Sequence, residues 1–136
     1  MANPNKRKGT SWETDGCRFL NRELGLVDEE GRFYDPTDPD NVRRQAQTGL
    51  ADVGDAWARP FVLEFKNERT IRLSAYVEQA EAEAVNAGLP YGAAVVKRRG
   101  KGVGAGYVVM SLATFARFLR DYRRLRDEVA RLRKEI

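Results

Sequence analysis

The chain has 136 residues, with 24 Lys or Arg against 20 Asp or Glu, a net charge of +4, a single cysteine and no histidine. One cysteine excludes an internal disulfide, and the lack of histidine excludes serine–histidine or cysteine–histidine catalysis and an ordinary zinc site. The length suits one domain with a core of its own. Chemistry in such a chain depends on carboxylates, lysine and a bound metal.

The positive charge is unevenly distributed. Residues 117–136 hold eight Lys or Arg and four Asp or Glu, and this surplus of four equals the net charge of the whole chain. The remainder is neutral on balance but carries short basic clusters, which suit contacts with phosphate groups that give affinity without reading sequence. The candidate contacts with nucleic acid are Lys8, Arg43, Arg44, Lys97, Arg98 and Lys101.

No apolar run approaches the length of a membrane span. We therefore expect a cytoplasmic protein without a membrane partner. The bias toward Arg, Ala, Gly and Val is typical of a GC-rich genome, and a phage-encoded protein in the cytoplasm of its bacterial host fits this composition.

The chain begins with a basic arm and a helix. Residues 3–8 predict a flexible arm because they combine turn formers with basic side chains. Thr10 or Ser11 is suited to cap a helix that runs to about Leu24.

A loop and a short strand follow this helix. Residues 26–41 are acidic and rich in turn formers, so we expect a solvated loop. Residues 43–47 are predicted to form a short strand that carries basic side chains toward nucleic acid.

A hairpin is predicted next. Phe61–Lys66 has the β-branched and aromatic content of a strand, and alternation places Glu64 and Lys66 on the same face. Pro60 favours a turn before this strand, so residues 55–57 fold back as its antiparallel partner. This register places Asp55 roughly opposite Glu64.

Carboxylates that face each other suggest a cation. Opposed like charges repel, whereas Mg²⁺ takes carboxylate oxygens and keeps positions for water and phosphate. A lysine two residues after the glutamate is suited to orient or deprotonate an attacking water, or to offset charge on the phosphate. The pattern alone equally fits an ordinary ion pair on a solvated strand face, since the chain is 32% charged.

A second helix is predicted over residues 71–87, with Gly88 as its stop. Its glutamates, Glu78, Glu81 and Glu83, are predicted to lie mostly outside the buried stripe. The stripe consists of Leu73, Tyr76, Val77, Ala80, Ala84 and Ala87.

Two strands and a glycine-rich turn follow. Residues 91–97 and 106–110 are predicted strands, and residues 98–105 form the basic turn between them. This turn is either a hairpin that grips a nucleic acid backbone or a loose connection. It is not a phosphate loop, because no helix follows it directly and the lysine–serine pair is missing.

Residues 112–136 predict one long helix with an apolar seam at spacings of three and four. About 25 helical residues extend roughly 37 Å, more than a small domain needs to cover its sheet. We expect the second half to project and to pair with a second copy. The alternative is a helix that packs entirely on its own domain or frays.

Residues 1–112 resemble the PD-(D/E)XK nuclease superfamily, and within it the small Holliday junction resolvase-like proteins of the archaeal type, some of which are carried by phages. The motifs come in the order of that family, from a first helix with an acid to a strand with Glu-x-Lys. They are Lys8-Gly9-Thr10 before a helix with Glu13, Gly49 to Asp55, Glu64-Phe-Lys66-Asn67, Gln79, Val95 to Arg99 and Tyr107 to Met110.

The resemblance implies an α/β, three-layer restriction-endonuclease-like fold with a mixed central sheet flanked by helices. Residues 1–112 would form the nuclease domain, and residues 113–136 a basic amphipathic helix suited to dimerisation. The resemblance also implies that Glu13, Asp55 and Glu64 bind Mg²⁺ or Mn²⁺, and that Lys66 is catalytic.

Two residues remain open. Asp52 lies three residues before Asp55 and competes with it as the metal ligand, although Asp55 fits the hairpin better. Gln79 corresponds to a glutamine that many members place near the active site, and it equally fits a plain surface position.

The expected function is a metal-dependent endonuclease that cleaves branched DNA such as four-way junctions and acts as a homodimer. Three alternatives remain. The first is a nuclease of this superfamily that acts on linear, flap or site-specific DNA. The second is a non-catalytic DNA-binding dimer, and the third is a coiled-coil adaptor.

Overall fold

The structure is a computed structural model that describes residues 4–46 and 49–136, with only the backbone of residues 4–7. Within these ranges the fold is α/β, with three α-helices and a mixed sheet of five strands, as the sequence predicts at this level. The elements are α1 (Pro4–Glu23), β1 (Arg43–Arg44), β2 (Ala56–Ala58), β3 (Phe61–Lys66), α2 (Leu73–Ala87), β4 (Tyr91–Val96), a 3₁₀ turn (Val103–Ala105), β5 (Tyr107–Val109) and α3 (Leu112–Lys134).

The strands follow chain order across the sheet, from β1 to β5. Strands β3 and β4 are parallel and are joined by α2, whereas the other neighbouring pairs are antiparallel. Ala56 lies opposite Leu63 in the β2–β3 register. The predicted hairpin is therefore confirmed.

The two faces of the sheet are covered by different helices. On one face Trp12 of α1 belongs to a buried cluster with Leu63 and Phe65, and its indole N–H donates to the carbonyl of Val95 at 3.0 Å. On the other face Tyr76 of α2 belongs to a cluster with β4 residues. The predicted flanking of the sheet by helices is confirmed, and Glu64 faces the α2 side.

The predicted N-terminal arm is wrong over the described residues. Helix α1 begins at Pro4, so the basic residues before Thr10 are helical. Proline suits the first turn of a helix because no intrahelical partner is needed for an N–H there. Helix α2 ends as predicted, because Gly88 has a φ of 71° and its N–H bonds back to the last turn.

The segment between α1 and β1 is irregular, as predicted. Its turns are held by side chains, since the carboxylate of Asp28 accepts from the N–H groups of Glu30 and Arg32. The strand predicted over residues 43–47 is limited to Arg43–Arg44. Residues 47 and 48 lie outside the described part of the chain.

Helix α3 is anchored at its start and projects at its end. The hydroxyl of Ser111 accepts from the N–H of Thr114 at 3.1 Å and caps the helix. Phe118 packs on Phe61 and Tyr91 with ring centroids 5.4 and 5.5 Å away. Every residue from Tyr122 onward is exposed, so the predicted projection is confirmed. None of the described helices has an apolar stretch long enough to traverse a bilayer.

Gly92 permits the close contact between α2 and β4. A Cβ at this position would lie 2.2 Å from the carbonyl oxygen of Ala80 and 2.6 Å from its carbon. We expect Gly92→Ala to lower the free energy of unfolding by about 3 kcal/mol, because rigid helix backbone has to move. The measurement is chemical denaturation.

Gly102→Ala is the matched control, because nothing lies within 4 Å of a Cβ there and its φ of −65° suits alanine. Equal stability of the two variants would contradict the close contact at Gly92.

Candidate functional site

Glu64 and Lys66 form an ion pair on the α2 face of β3. The Lys66 Nζ lies 3.4 Å from Glu64 Oε1, and the two side chains are only 17% and 7% exposed. The ammonium group also lies 5.4 Å from the centre of the Tyr76 ring. The interpretation as a pair on a solvated face is therefore wrong, because both partners are largely removed from water.

Asp55 lies where the β2–β3 ladder ends. Its N–H donates to the carbonyl of Leu63 at 3.1 Å, and its carboxylate Oδ2 accepts from the N–H of Phe65 at 2.8 Å. One further step of the Ala56–Leu63 register places Asp55 opposite Glu64, as predicted. On the side of β3 where β2 has ended, the Asp55 side chain thus accepts the Phe65 N–H in place of a strand carbonyl.

Gly54 sets the path of the backbone into Asp55. Its φ is 93°, and a Cβ would lie 2.3 Å from Cγ1 of Val62. The positive φ and the close contact with Val62 both exclude a residue with a Cβ at position 54 unless the local structure rearranges.

Gln79 connects Glu64 to a second buried glutamate on α2. Its amide Nε2 donates to Glu64 Oε1 at 3.1 Å and to Glu83 Oε1 at 2.9 Å. Gln79 is therefore beside the predicted site rather than on a plain surface. It fixes the orientation of the Glu64 carboxylate.

The predicted position of Glu83 outside the buried stripe of α2 is wrong. Its side chain is buried, with the residue only 2% exposed. Its position is three residues after Ala80 and seven after Tyr76, which places it on the buried stripe. The helical spacing alone indicates that Glu83 is buried, whereas a charged side chain is normally predicted to be exposed. Of the other two glutamates, Glu78 is exposed as predicted and Glu81 is half-buried.

Two buried carboxylate oxygens lack a hydrogen-bond partner among the described residues, Glu64 Oε2 and Glu83 Oε2. A proton on Glu64 would be shared with Glu83, and Glu83 in turn contacts Asp52. Asp55 is therefore the aspartate beside Glu64, whereas Asp52 lies beside Glu83.

Burial and crowding raise the pKa values of these carboxyls. Burial, and then the charge of Glu64, raises the pKa of Asp55 to about 7. Burial, and then Glu83, raises the pKa of Glu64 to about 8. Burial also raises the pKa of Glu83. The site therefore carries more carboxylate than one lysine neutralises.

Glu13 lies at the edge of the site. Its Oε2 is 2.9 Å from the Nε of Arg44, and its charge contributes to the raised pKa of Asp55. Across the described residues, no group of three or more His, Cys, Asp or Glu is arranged to hold a metal ion. The structure brings together the side chains of four predicted site residues, while Glu13 is paired with Arg44. The four are Asp55, Glu64, Lys66 and Gln79.

A basic cleft opens at Lys66. Glu68 is the only acid among its described lining residues, and it accepts from the hydroxyl of Tyr76 at 2.6 Å. Arg69 and Arg99 were not among the predicted contacts, although Arg99 belongs to the basic run after β4. The lining residues are Lys8, Gly9, Phe65, Lys66, Asn67, Glu68, Arg69 and Arg99.

Of the six predicted phosphate contacts, Lys8 lines this cleft. Arg43 and Arg44 are engaged within the domain, since Arg43 donates to the carbonyl of Pro36 at 2.6 Å and Arg44 pairs with Glu13. Their contact with DNA stays a prediction. The other three follow β4 in the chain, namely Lys97, Arg98 and Lys101.

Comparison with known proteins gave no match: no family model, no curated protein sequence and no solved structure matches this chain. The functional argument therefore depends on the chemistry of the site.

Glu64→Gln tests the carboxylate crowding in metal-free protein. The folded state keeps the proton on Glu64 up to a pH of about 8, whereas the unfolded state loses it near the ordinary value of 4.5. Stability therefore falls as the pH rises between these values, and a neutral Gln avoids the loss. We expect the variant to melt roughly 5 °C above wild type at pH 8.5 in EDTA, and close to wild type at pH 4.5.

Glu78→Gln is the control, because Glu78 is exposed on the same helix as Gln79. Calorimetry across this pH range makes the comparison. A Glu64→Gln variant that melts below wild type at pH 8.5 would contradict the crowding.

Proposed function

We propose that this chain is a Mg²⁺- or Mn²⁺-dependent DNA endonuclease of the PD-(D/E)XK type that cleaves branched DNA and acts as a homodimer. One observation carries the proposal: Lys66 Nζ lies 3.4 Å from Glu64 Oε1 on a buried face, beside Asp55. A buried carboxylate pair with a lysine at the mouth of a basic cleft is expensive for stability and suits phosphodiester hydrolysis.

The donor set fits a hard divalent cation. Asp55 and Glu64 offer carboxylate oxygens, and Glu64 Oε2 is buried without a hydrogen-bond partner among the described residues. The raised pKa values of both groups arise from burial and from nearby carboxylates, a penalty that a bound cation removes. Asp55 and Glu64 would hold the ion. Glu13 would join them only after its release from Arg44, and Asp52 lies beside Glu83 rather than Glu64.

When bound, the ion would stabilise negative charge on the phosphate and lower the pKa of a bound water. The protein residues have separate tasks. The Lys66 ammonium would hold the attacking water or donate to a phosphate oxygen. Gln79 holds the Glu64 carboxylate in position through its amide. Phe65 contributes its N–H, which fixes Asp55.

The cleft supports a nucleic acid substrate. Lys8, Arg69 and Arg99 surround Lys66 there, and such side chains bind the phosphodiester backbone without reading bases. Preference for a junction is supported by the resemblance of the motifs and by symmetry. A four-way junction has two-fold symmetry, and a dimer with two sites is able to nick two strands symmetrically.

Cleavage of synthetic DNA tests the proposal. With Mg²⁺ we expect wild type to cut a four-way junction faster than matched duplex or flap DNA, and EDTA to abolish cutting. Glu64→Gln and Lys66→Met are each expected to lower the rate about 100-fold or more, because a ligand or the water-positioning amine is lost.

Glu78→Gln is expected to cut at the wild-type rate. If Glu64→Gln or Lys66→Met also cuts at that rate, the site is misassigned. Faster cutting of linear or flap DNA would favour another nuclease of this type, and binding without cutting would favour a DNA-binding module. Metal binding has its own readout, since Mn²⁺ should raise the melting temperature of wild type more than that of Glu64→Gln.

Binding to the cleft is tested without cleavage, in EDTA. We expect Lys8→Gln and Arg99→Gln each to weaken junction binding and to reduce the slope of log K against log salt by about 1, because one phosphate contact is lost. Fluorescence anisotropy across a salt series measures both. Arg32→Gln, in the exposed loop after α1, is the control for removal of one positive charge, and an equal effect there would contradict the cleft as the binding surface.

A further inference from the structure

No described residue covers the apolar side of the projecting part of α3. Leu125, Val129 and Leu132 are 67%, 46% and 47% exposed. This part, residues 122–134, is about 20 Å long. An isolated helix of that length is marginal in water, so a partner that covers the apolar side chains would stabilise it.

The apolar residues repeat every seven positions. Tyr122, Val129 and Ile136 are spaced by seven, and Leu125 and Leu132 each follow three residues later. This is the heptad pattern of a coiled coil, with the first set at the a positions and the leucines at d. A β-branched residue at a with leucine at d, as at Val129 and Leu132, favours a parallel two-stranded coiled coil.

The charges beside the seam distinguish the two orientations. The g positions that precede each a position are all acidic, and the e positions that follow each d position in this part are basic. In a parallel pair each g faces the next e of the other helix, so acid meets base; in an antiparallel pair g faces g and e faces e, so like charges meet. The g residues are Asp121, Glu128 and Glu135, and the e residues are Arg126 and Arg133.

The Glu128–Arg133 pair is the stronger of the two. Arg133 has no hydrogen-bond or ion-pair partner among the described residues, so it is available to a second helix. Glu128 is bound by Arg131 of its own helix and retains acceptor sites for another guanidinium. Asp121 is already bound by the hydroxyl of Tyr91, which lessens its part in pairing.

We propose that residues 122–136 pair with the same segment of a second copy as a parallel, in-register coiled coil. Nucleic acid is the less suitable occupant, because binding through arginines leaves the apolar seam in water. The outward b, c and f positions stay outside the seam after pairing. Of the basic residues there, Arg123, Arg124 and Lys134 have no hydrogen-bond or ion-pair partner among the described residues.

A parallel pair places both domains at the same end of the coiled coil, related by a two-fold axis along it. The pairing rests on the residues of α3 alone. Its use, which is to present two sites to one DNA molecule, rests on the proposed function.

Cysteine cross-linking and mass in solution test orientation. In a Cys17→Ala background, Leu125→Cys and Leu132→Cys each place a thiol at a d position. In a parallel in-register dimer both residues face their own copies within disulfide reach, so each variant should give a covalent dimer with oxidised glutathione and a monomer after reduction. An antiparallel pair allows at most one of them to face its own copy.

Charge exchange supplies an independent measure in the otherwise unchanged chain. Glu128→Arg should raise the dimer dissociation constant about tenfold, and Glu128→Arg with Arg133→Glu should restore it. Arg131→Gln is the control, because it removes the contact within the helix and leaves the interface charges. A monomer at about 100 µM, cross-linking of one cysteine variant or neither, or no recovery in the double variant overturns the proposal. None of these results depends on cleavage, so a failed site at Glu64 would be recognised separately.

Discussion

The site depends on the close approach of α2 to the sheet at Gly92. Because a Cβ there would lie 2.2 Å from the Ala80 carbonyl oxygen, a larger residue would push the helix away from β4. That approach brings Gln79 and Glu83, on either side of Ala80, to the Glu64 carboxylate. A small residue in one strand thus determines whether the polar groups of a helix reach an acid in the next strand.

The same approach has an energetic cost. Glu64 and Glu83 are 5% and 2% exposed, and each has an oxygen without a hydrogen-bond partner in the described structure. Burial of carboxylates is unfavourable unless cations or donors compensate, and Lys66 with Gln79 supplies only part of that compensation. A core chosen for stability would place apolar side chains here, so the arrangement is better explained by the proposed chemistry.

Much of the fold and of the candidate site could be predicted from the sequence, because the placement of these residues depends on local periodicity. Alternation in β3 sets the common face of Glu64 and Lys66, and the turn before β3 sets Asp55 opposite Glu64. Glu83 was placed wrongly because its charge outweighed its helical spacing. Its burial is decided by the packing of α2 against the sheet, which the close approach of Ala80 to Gly92 sets. The engagement of Arg44 by Glu13, residues 31 apart in sequence, also requires the fold, since no local pattern pairs them.

Helix α3 has two parts that differ in packing: its start contacts the domain, and its end is exposed. Its first turns are held by an aromatic contact, in which Phe118 lies between Phe61 and Tyr91 at the start of β3 and β4. Phe118 also occupies a d position of the heptad, three residues after Phe115. The same apolar seam is therefore covered by its own domain at Phe118 and exposed at Leu125. The domain therefore fixes the direction in which the free seam leaves it. In the proposed pair a second copy would share that direction, so the packing of Phe118 would set the orientation of the two domains.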